Sequence, residues 1–171
     1  MYASVDRDPA TVNDSAPLAT PGILYSWAGA PGDSSAAPMG IYRYVQVVDA
    51  ASTEYLVTNG AVLCPNDATN NQISAATGDR SGDVTGQECC GIAVCSVTDD
   101  YYAYVLVRGR HQAILTDGSV ALGDPLTVSA TDGLAHSATI TATGTDIEHV
   151  FGVALENDSS AGKVAADVNC L

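Results

Sequence analysis

The apolar positions of this chain recur with period two or in short runs, and no span has convincing helical periodicity. Tyr42-Arg43-Tyr44-Val45-Gln46-Val47-Val48 alternates large and polar residues, as a half-buried strand does. Tyr102-Ala103-Tyr104-Val105-Leu106-Val107 is a second strand signal, rich in aromatic and β-branched side chains. Gly109 breaks this run, Gln112-Ala113-Ile114-Leu115 follows, and Asp117-Gly118 is a hairpin-type dipeptide. Gly123-Asp124-Pro125 is a further turn, Leu126-Thr127-Val128 a third short strand, and Asp132-Gly133 closes it. Residues 100–135 therefore predict a β-meander within a barrel or sandwich.

The same grammar extends outward. Glu54-Tyr55-Leu56-Val57 leads into the turn Asn59-Gly60, and Ala61-Val62-Leu63-Cys64 follows. Residues 65–88 are polar, with Ile73 and Val84 as isolated apolar positions, and read as a surface excursion with one weak strand. Residues 90–97 form a continuous apolar run, expected as a buried strand, and residues 139–142, 150–155 and 163–168 complete the set.

Three patterns occur twice in the same order. Tyr42-x-Tyr44-Val45-x-Val47 returns from Tyr102, Leu56-Val57-Thr58-Asn59-Gly60 from Ile114, and Gly91-Ile92-Ala93-Val94 from Gly152, each about sixty positions later. The expected fold is thus all-β: a small barrel or sandwich of short antiparallel strands built from two related halves. Residues 1–38 differ, because Pro9, Pro17, Pro21, Pro31 and Pro38 are interleaved with Ala, Ser and Gly. That composition predicts an extended N-terminal arm, leaving residues 39–171 as the β domain. Ile23, Leu24, Tyr25 and Trp27 form its one apolar patch. Either the patch docks on its own domain, or it anchors the arm on a neighbouring subunit.

Charge narrows the partners. The chain of 171 residues carries 20 acidic against 6 basic side chains, a net charge of -14. Such a surface repels phosphate backbones, so nucleic acid is not an expected partner. The one basic cluster is Arg108, Arg110 and His111. No apolar stretch is long enough to span a membrane, and the first residues lack the basic and apolar regions of a signal peptide.

Chemistry is sparse in the sequence. Cys64, Cys89, Cys90, Cys95 and Cys170 include no C-x-x-C pair, and they read as small buried hydrophobes in a reducing compartment. There is no G-x-S-x-G elbow and no P-loop, and His111, His136 and His149 are isolated from one another. Asp99-Asp100 and the Asn66-Asp67, Asn70-Asn71 set miss the spacing of a calcium loop and read as turns. No enzyme activity, cofactor or metal is expected.

Residues 100–135 with Phe151-Gly152-Val153-Ala154-Leu155 resemble the small β-barrel decoration (cement) proteins of tailed-bacteriophage capsids. The likeness lies in the strand at residues 102–107, the glycine at Gly109, Ala121-Leu122-Gly123-Asp124-Pro125-Leu126, and Gly152-Val153-Ala154. It covers residues from about 40 to 171 and leaves the arm unmatched. The resemblance implies a non-enzymatic virion protein, made in the host cytoplasm, that binds the outer capsid surface and cements neighbouring major capsid subunits. It implies the major capsid protein and further copies of itself as partners, with a homotrimer as one arrangement. Ile23, Leu24, Tyr25 and Trp27 are the expected capsid contacts, and Arg108, Arg110 and His111 a second set able to meet an acidic shell. A head-fibre or tail adhesin binding host glycans is the alternative.

Overall fold

The computed structural model describes residues 3–4, 7–29, 37–48, 57–65, 74–77, 88–138 and 149–170. Residues 31–36, 54–56, 139–142 and the positions of Ile73 and Val84 lie outside them. The described residues form an all-β protein with one 3-10 turn, Pro9–Thr11, and no α-helix. The strands are β1 (Ala3–Ser4), β2 (Leu24–Trp27), β3 (Gly40–Val47), β4 (Val62–Pro65), β5 (Ser74–Thr77) and β6 (Gly91–Ala93). They continue with β7 (Tyr102–Leu115), β8 (Pro125–Val128), β9 (Ala135–Ser137), β10 (Gly152–Ala154) and β11 (Lys163–Asn169).

All eleven belong to one sheet, in the order β1-β2-β3-β5-β4-β6-β7-β11-β10-β8-β9. Pairing is antiparallel except for β1 with β2 and β3 with β5. The sheet folds over on itself as a sandwich rather than closing into one barrel. Within it β3 also pairs with β7, so β3, β5, β4, β6 and β7 make a hydrogen-bonded circuit. A second circuit runs β7-β11-β10-β8-β9 and returns to the end of β7 through a parallel bridge, Thr116 with Ala135.

The two circuits are the two related halves. Leu63 pairs with Gly91 in the first, and Leu126 with Gly152 in the second. Their neighbours Cys64 with Ala76 and Thr127 with His136 follow the same arrangement. One of the repeated sequence patterns, Gly91 to Val94 and Gly152 to Leu155, marks this equivalence. The tyrosine pattern does something else: the Tyr42 and Tyr102 strands lie antiparallel to each other, with Tyr44 opposite Tyr104. Their likeness gives a local two-fold pairing in place of a translation between halves.

The expected meander is corrected at β7. That strand runs unbroken for 14 residues through Gly109, and β8 does not pair with it but lies beyond β11 and β10 in the sheet order. β7 is long because it serves both circuits: Tyr102 to Gly109 pair with β3, and Arg108 to Leu115 with β11. Gly109 lies opposite Gly40, and a Cβ on it would come within 2.8 Å of the Met39 carbonyl oxygen. Glycine here permits a close backbone approach and does not end the strand.

Burial follows the strand alternation. Tyr42 and Tyr44 of β3, with Tyr104 and Leu106 of β7, face a large cluster that also takes Ile114, Leu126, Val164 and Val168. Val45, Val47, Ala103 and Val105 face the other way, into a smaller cluster with Leu63, Ala93 and Val97. β3 and β7 are thus buried on both faces over these residues, where the sequence pattern implied only one.

The described part of residues 1–38 belongs to the same sheet. β2 pairs along the edge of β3, and Asp14 and Tyr102 exchange two backbone hydrogen bonds of 3.0 and 2.8 Å. Val12 is 1% exposed, and Pro9 and Ala37 are buried. The stretch Leu24–Trp27 is free of proline, so it can supply every donor that the β3 edge requires.

Candidate functional site

Pairing with β3 divides the residues of the N-terminal patch between two faces. Tyr25 opposite Tyr42 and Trp27 opposite Gly40 turn inward and pack against the large cluster. Tyr25 meets Tyr104 edge-on, with ring centroids 5.4 Å apart, and Trp27 Nε1–H donates to the Ala37 carbonyl at 3.2 Å. These two rings are spent on the protein's own fold. Ile23, 46% exposed, stays at the surface. Leu24, half-buried, projects to the opposite face, above Arg43.

Trp27→Ala removes both that packing and the indole hydrogen bond. A loss of about 2 kcal/mol is expected for a ring only partly buried. Urea unfolding of the variant checks this, and an unchanged midpoint would mean that the ring contributes nothing to docking.

The second expected set lies in a strand. Arg108, Arg110 and His111 lie in the middle of β7. Across the sheet Ser26, Ile41, Arg108 and Asn169 stand in one row, and Arg110, Asp167 and Val153 in another. Arg108, Arg110, Asp167 and Asn169 are exposed, and Val153 is 43% exposed. The fold therefore brings the outer side of β2 and the two arginines onto one solvent-facing surface. His111 is separated from them. It is 5% exposed, its Nδ1 accepts a hydrogen bond from Ala113 N–H at 3.1 Å, and burial lowers its pKa to about 4. A neutral, inward imidazole cannot serve as part of a basic contact.

A tyrosine cluster underlies the N-terminal segment. Tyr44 stacks on Tyr102, with centroids 5.9 Å apart, and tilts against Tyr104 at 4.9 Å. Leu18 N–H donates to the Tyr44 hydroxyl oxygen at 3.1 Å. Burial raises the Tyr44 pKa, and this hydrogen bond partly opposes the rise. A cavity of about 310 Å³ opens here, lined by Tyr25, Tyr44 and Tyr104, with Arg7 and Asp14 among its polar groups. Arg7 Nη1 lies 3.4 Å from Asp14 Oδ2.

A polar knot at the start of β9 was invisible in the sequence. Asp117 receives the Ser129 hydroxyl on one carboxylate oxygen, and His136 Nδ1 lies 2.9 Å from the other. Partial burial would raise the Asp117 pKa, but the hydrogen bonds from Ser129 and His136 prevail and lower it. Serine and imidazole both address the carboxylate, so the serine proton has no path to the imidazole, as a nucleophilic triad would require. The knot pins the segment after β7 to the β8–β9 hairpin. Among the described residues no three His, Cys, Asp or Glu side chains form a group that could hold a metal ion, and no helix is long and apolar enough to cross a membrane.

No protein-family model matches the chain, and no curated protein matches it. Among solved structures it is similar to the N base of the head fiber gp8.5 of bacteriophage phi29. The TM-score is 0.49 at 17% sequence identity, over 75% of this chain and 92% of that one.

Proposed function

We propose that this protein is a structural component of a tailed-phage virion that binds the outer surface of the capsid and cements neighbouring major capsid subunits. The observation that carries the reading is the solvent-facing surface shared by β2, β3, β7 and β11. It places Arg108 opposite Ile41 and Arg110 two positions further along β7, opposite Asp167, on a chain whose net charge is -14. A small basic and apolar patch on an otherwise acidic body favours one docking orientation against an acidic shell and repels others. The sequence likeness to decoration proteins supports the same reading, and its residues fall in β7, at the start of β8 and in β10. Many copies, each with a modest interface, would together resist the pressure of packaged DNA. In this reading the protein is not an enzyme.

The test is co-sedimentation of the purified chain with heads of its source phage that lack it. Saturable binding in hundreds of copies per head is expected. The double variant Arg108→Glu/Arg110→Glu should bind at least roughly tenfold more weakly and fold normally, because both substituted positions are exposed. Heads that take up no wild-type protein would end the cementing reading.

A glycan-binding role is the second reading, favoured by the tyrosine-lined cavity with Arg7 and Asp14. Three of its rings already pack on one another, which leaves little free aromatic face for a sugar. Retention of the chain on host cells, lost in Tyr25→Ala, would favour it over cementing.

A further inference from the structure

Cys89 and Cys170 meet in space although 81 positions separate them, and their sulfur atoms lie 3.1 Å apart as free thiols. Cys89 stands just before β6 in the first circuit, and Cys170 just after β11 in the second. Main-chain hydrogen bonds hold both places. Cys170 N–H donates to Val107 O at 2.8 Å, Asn169 N–H to Phe151 O at 2.6 Å, and Cys90 N–H to Leu63 O at 2.8 Å. The Cys89 thiol donates to the Gly91 carbonyl at 3.6 Å, so in the sulfur–sulfur contact Cys170 is the donor. Cys89 is buried and Cys170 half-buried, and a cavity of about 170 Å³ between Glu88, His149 and Phe151 reaches both.

We propose that Cys89 and Cys170 are a latent cross-link, which a small-molecule disulfide converts into a bond tying the first circuit to the second. The thiolate of Cys170, the more accessible of the two, attacks one sulfur of the oxidant. The oxidant's S–S bond breaks, one small thiol leaves, and a mixed disulfide remains on Cys170. The Cys89 thiolate then attacks the Cys170 sulfur and expels the second small thiol. Two electrons pass from the cysteines to the oxidant, and the two protons end on the two small thiols. Burial, with Cys170 beside it, holds the Cys89 thiol well above the ordinary range, so the second step is the slower one and quickens as pH rises. A bond across 81 positions constrains the unfolded chain strongly.

The experiment treats the full chain with oxidised glutathione at pH 8, blocks remaining thiols with iodoacetamide, and maps digested peptides by mass spectrometry. The expected product is a monomer lighter by two hydrogens, with fragment ions linking Cys89 to Cys170. Its unfolding midpoint should rise on the order of 10 °C, reversibly with reductant. Cys170→Ser should lose the cross-link and the rise, whereas Cys90→Ser should keep both. Alkylation of both cysteines after treatment, glutathione retained on Cys170, or a bond between other cysteines or between chains would each overturn the proposal.

Discussion

Lowering the pH from 7 to 4.5 should destabilise the wild-type protein by roughly 2 kcal/mol more than a His111→Gln variant. His111 has its pKa lowered to about 4 from an ordinary 6.5, mainly by burial and further by the charge of Lys163, with a backbone hydrogen bond at Ala93 in opposition. Above pH 6.5 the imidazole is neutral in folded and unfolded chains alike, and it adds no pH dependence. Between 6.5 and 4 the unfolded chain binds a proton that the folded one refuses, so stability falls as pH falls. Protonation would also convert Nδ1 from the acceptor of the Ala113 N–H into a second donor facing that group. The lowered pKa values of Asp117 and Asp124 start below 3.8, so their share of acid lability belongs to more acidic conditions. Urea unfolding of both proteins at the two pH values measures the difference. Parallel losses in the two would mean that His111 is solvated and titrates normally.

Gly60→Ala should cost about 4 kcal/mol or abolish folding, while the sequence-equivalent Gly118→Ala should change stability by about 1 kcal/mol or less. Gly60 has φ of 91°, and a Cβ there would lie 2.0 Å from the Ala113 carbonyl oxygen, a backbone atom of β7. Nothing can yield, because Gly60 N–H donates to Ala93 O at 2.9 Å and Gly60 O accepts from Leu115 N–H at 3.0 Å. The residue is wedged between β6 and β7, where only a glycine fits. A Cβ on Gly118 would meet nothing within 4 Å. Thermal unfolding of the two variants side by side is decisive. Equal effects would show that Gly60 does not occupy this wedge.

That pair of glycines also shows how far the residue pattern reaches. Asn59-Gly60 and Asp117-Gly118 read alike, as turns repeated in two halves. Which of them touches another strand depends on β6 and β7 arriving from elsewhere in the chain. Gly109 reads in the sequence as a break in the Tyr102 strand for the same reason. A glycine inside a strand signal looks like a break until Gly40 is seen opposite it. His136, isolated in sequence, finds Asp117 through the β8–β9 hairpin, and Cys89 finds Cys170 through the packing of two circuits. No local signal marks either contact, because each joins segments whose spacing carries no fixed period.

The sequence by itself determined the all-β class, the strands around Tyr42, Ile92, Tyr102, Leu126 and Val164, and the duplication into halves. Those features depend on side-chain alternation and turn chemistry, which act within a few residues. Tertiary structure alone decided that β7 is one long strand shared by two circuits, that Tyr25 and Trp27 pack on their own core, and that Arg108 and Arg110 face solvent while His111 does not. These outcomes depend on which strand lies beside which, and that is settled by burying both faces of β3 and β7 at once.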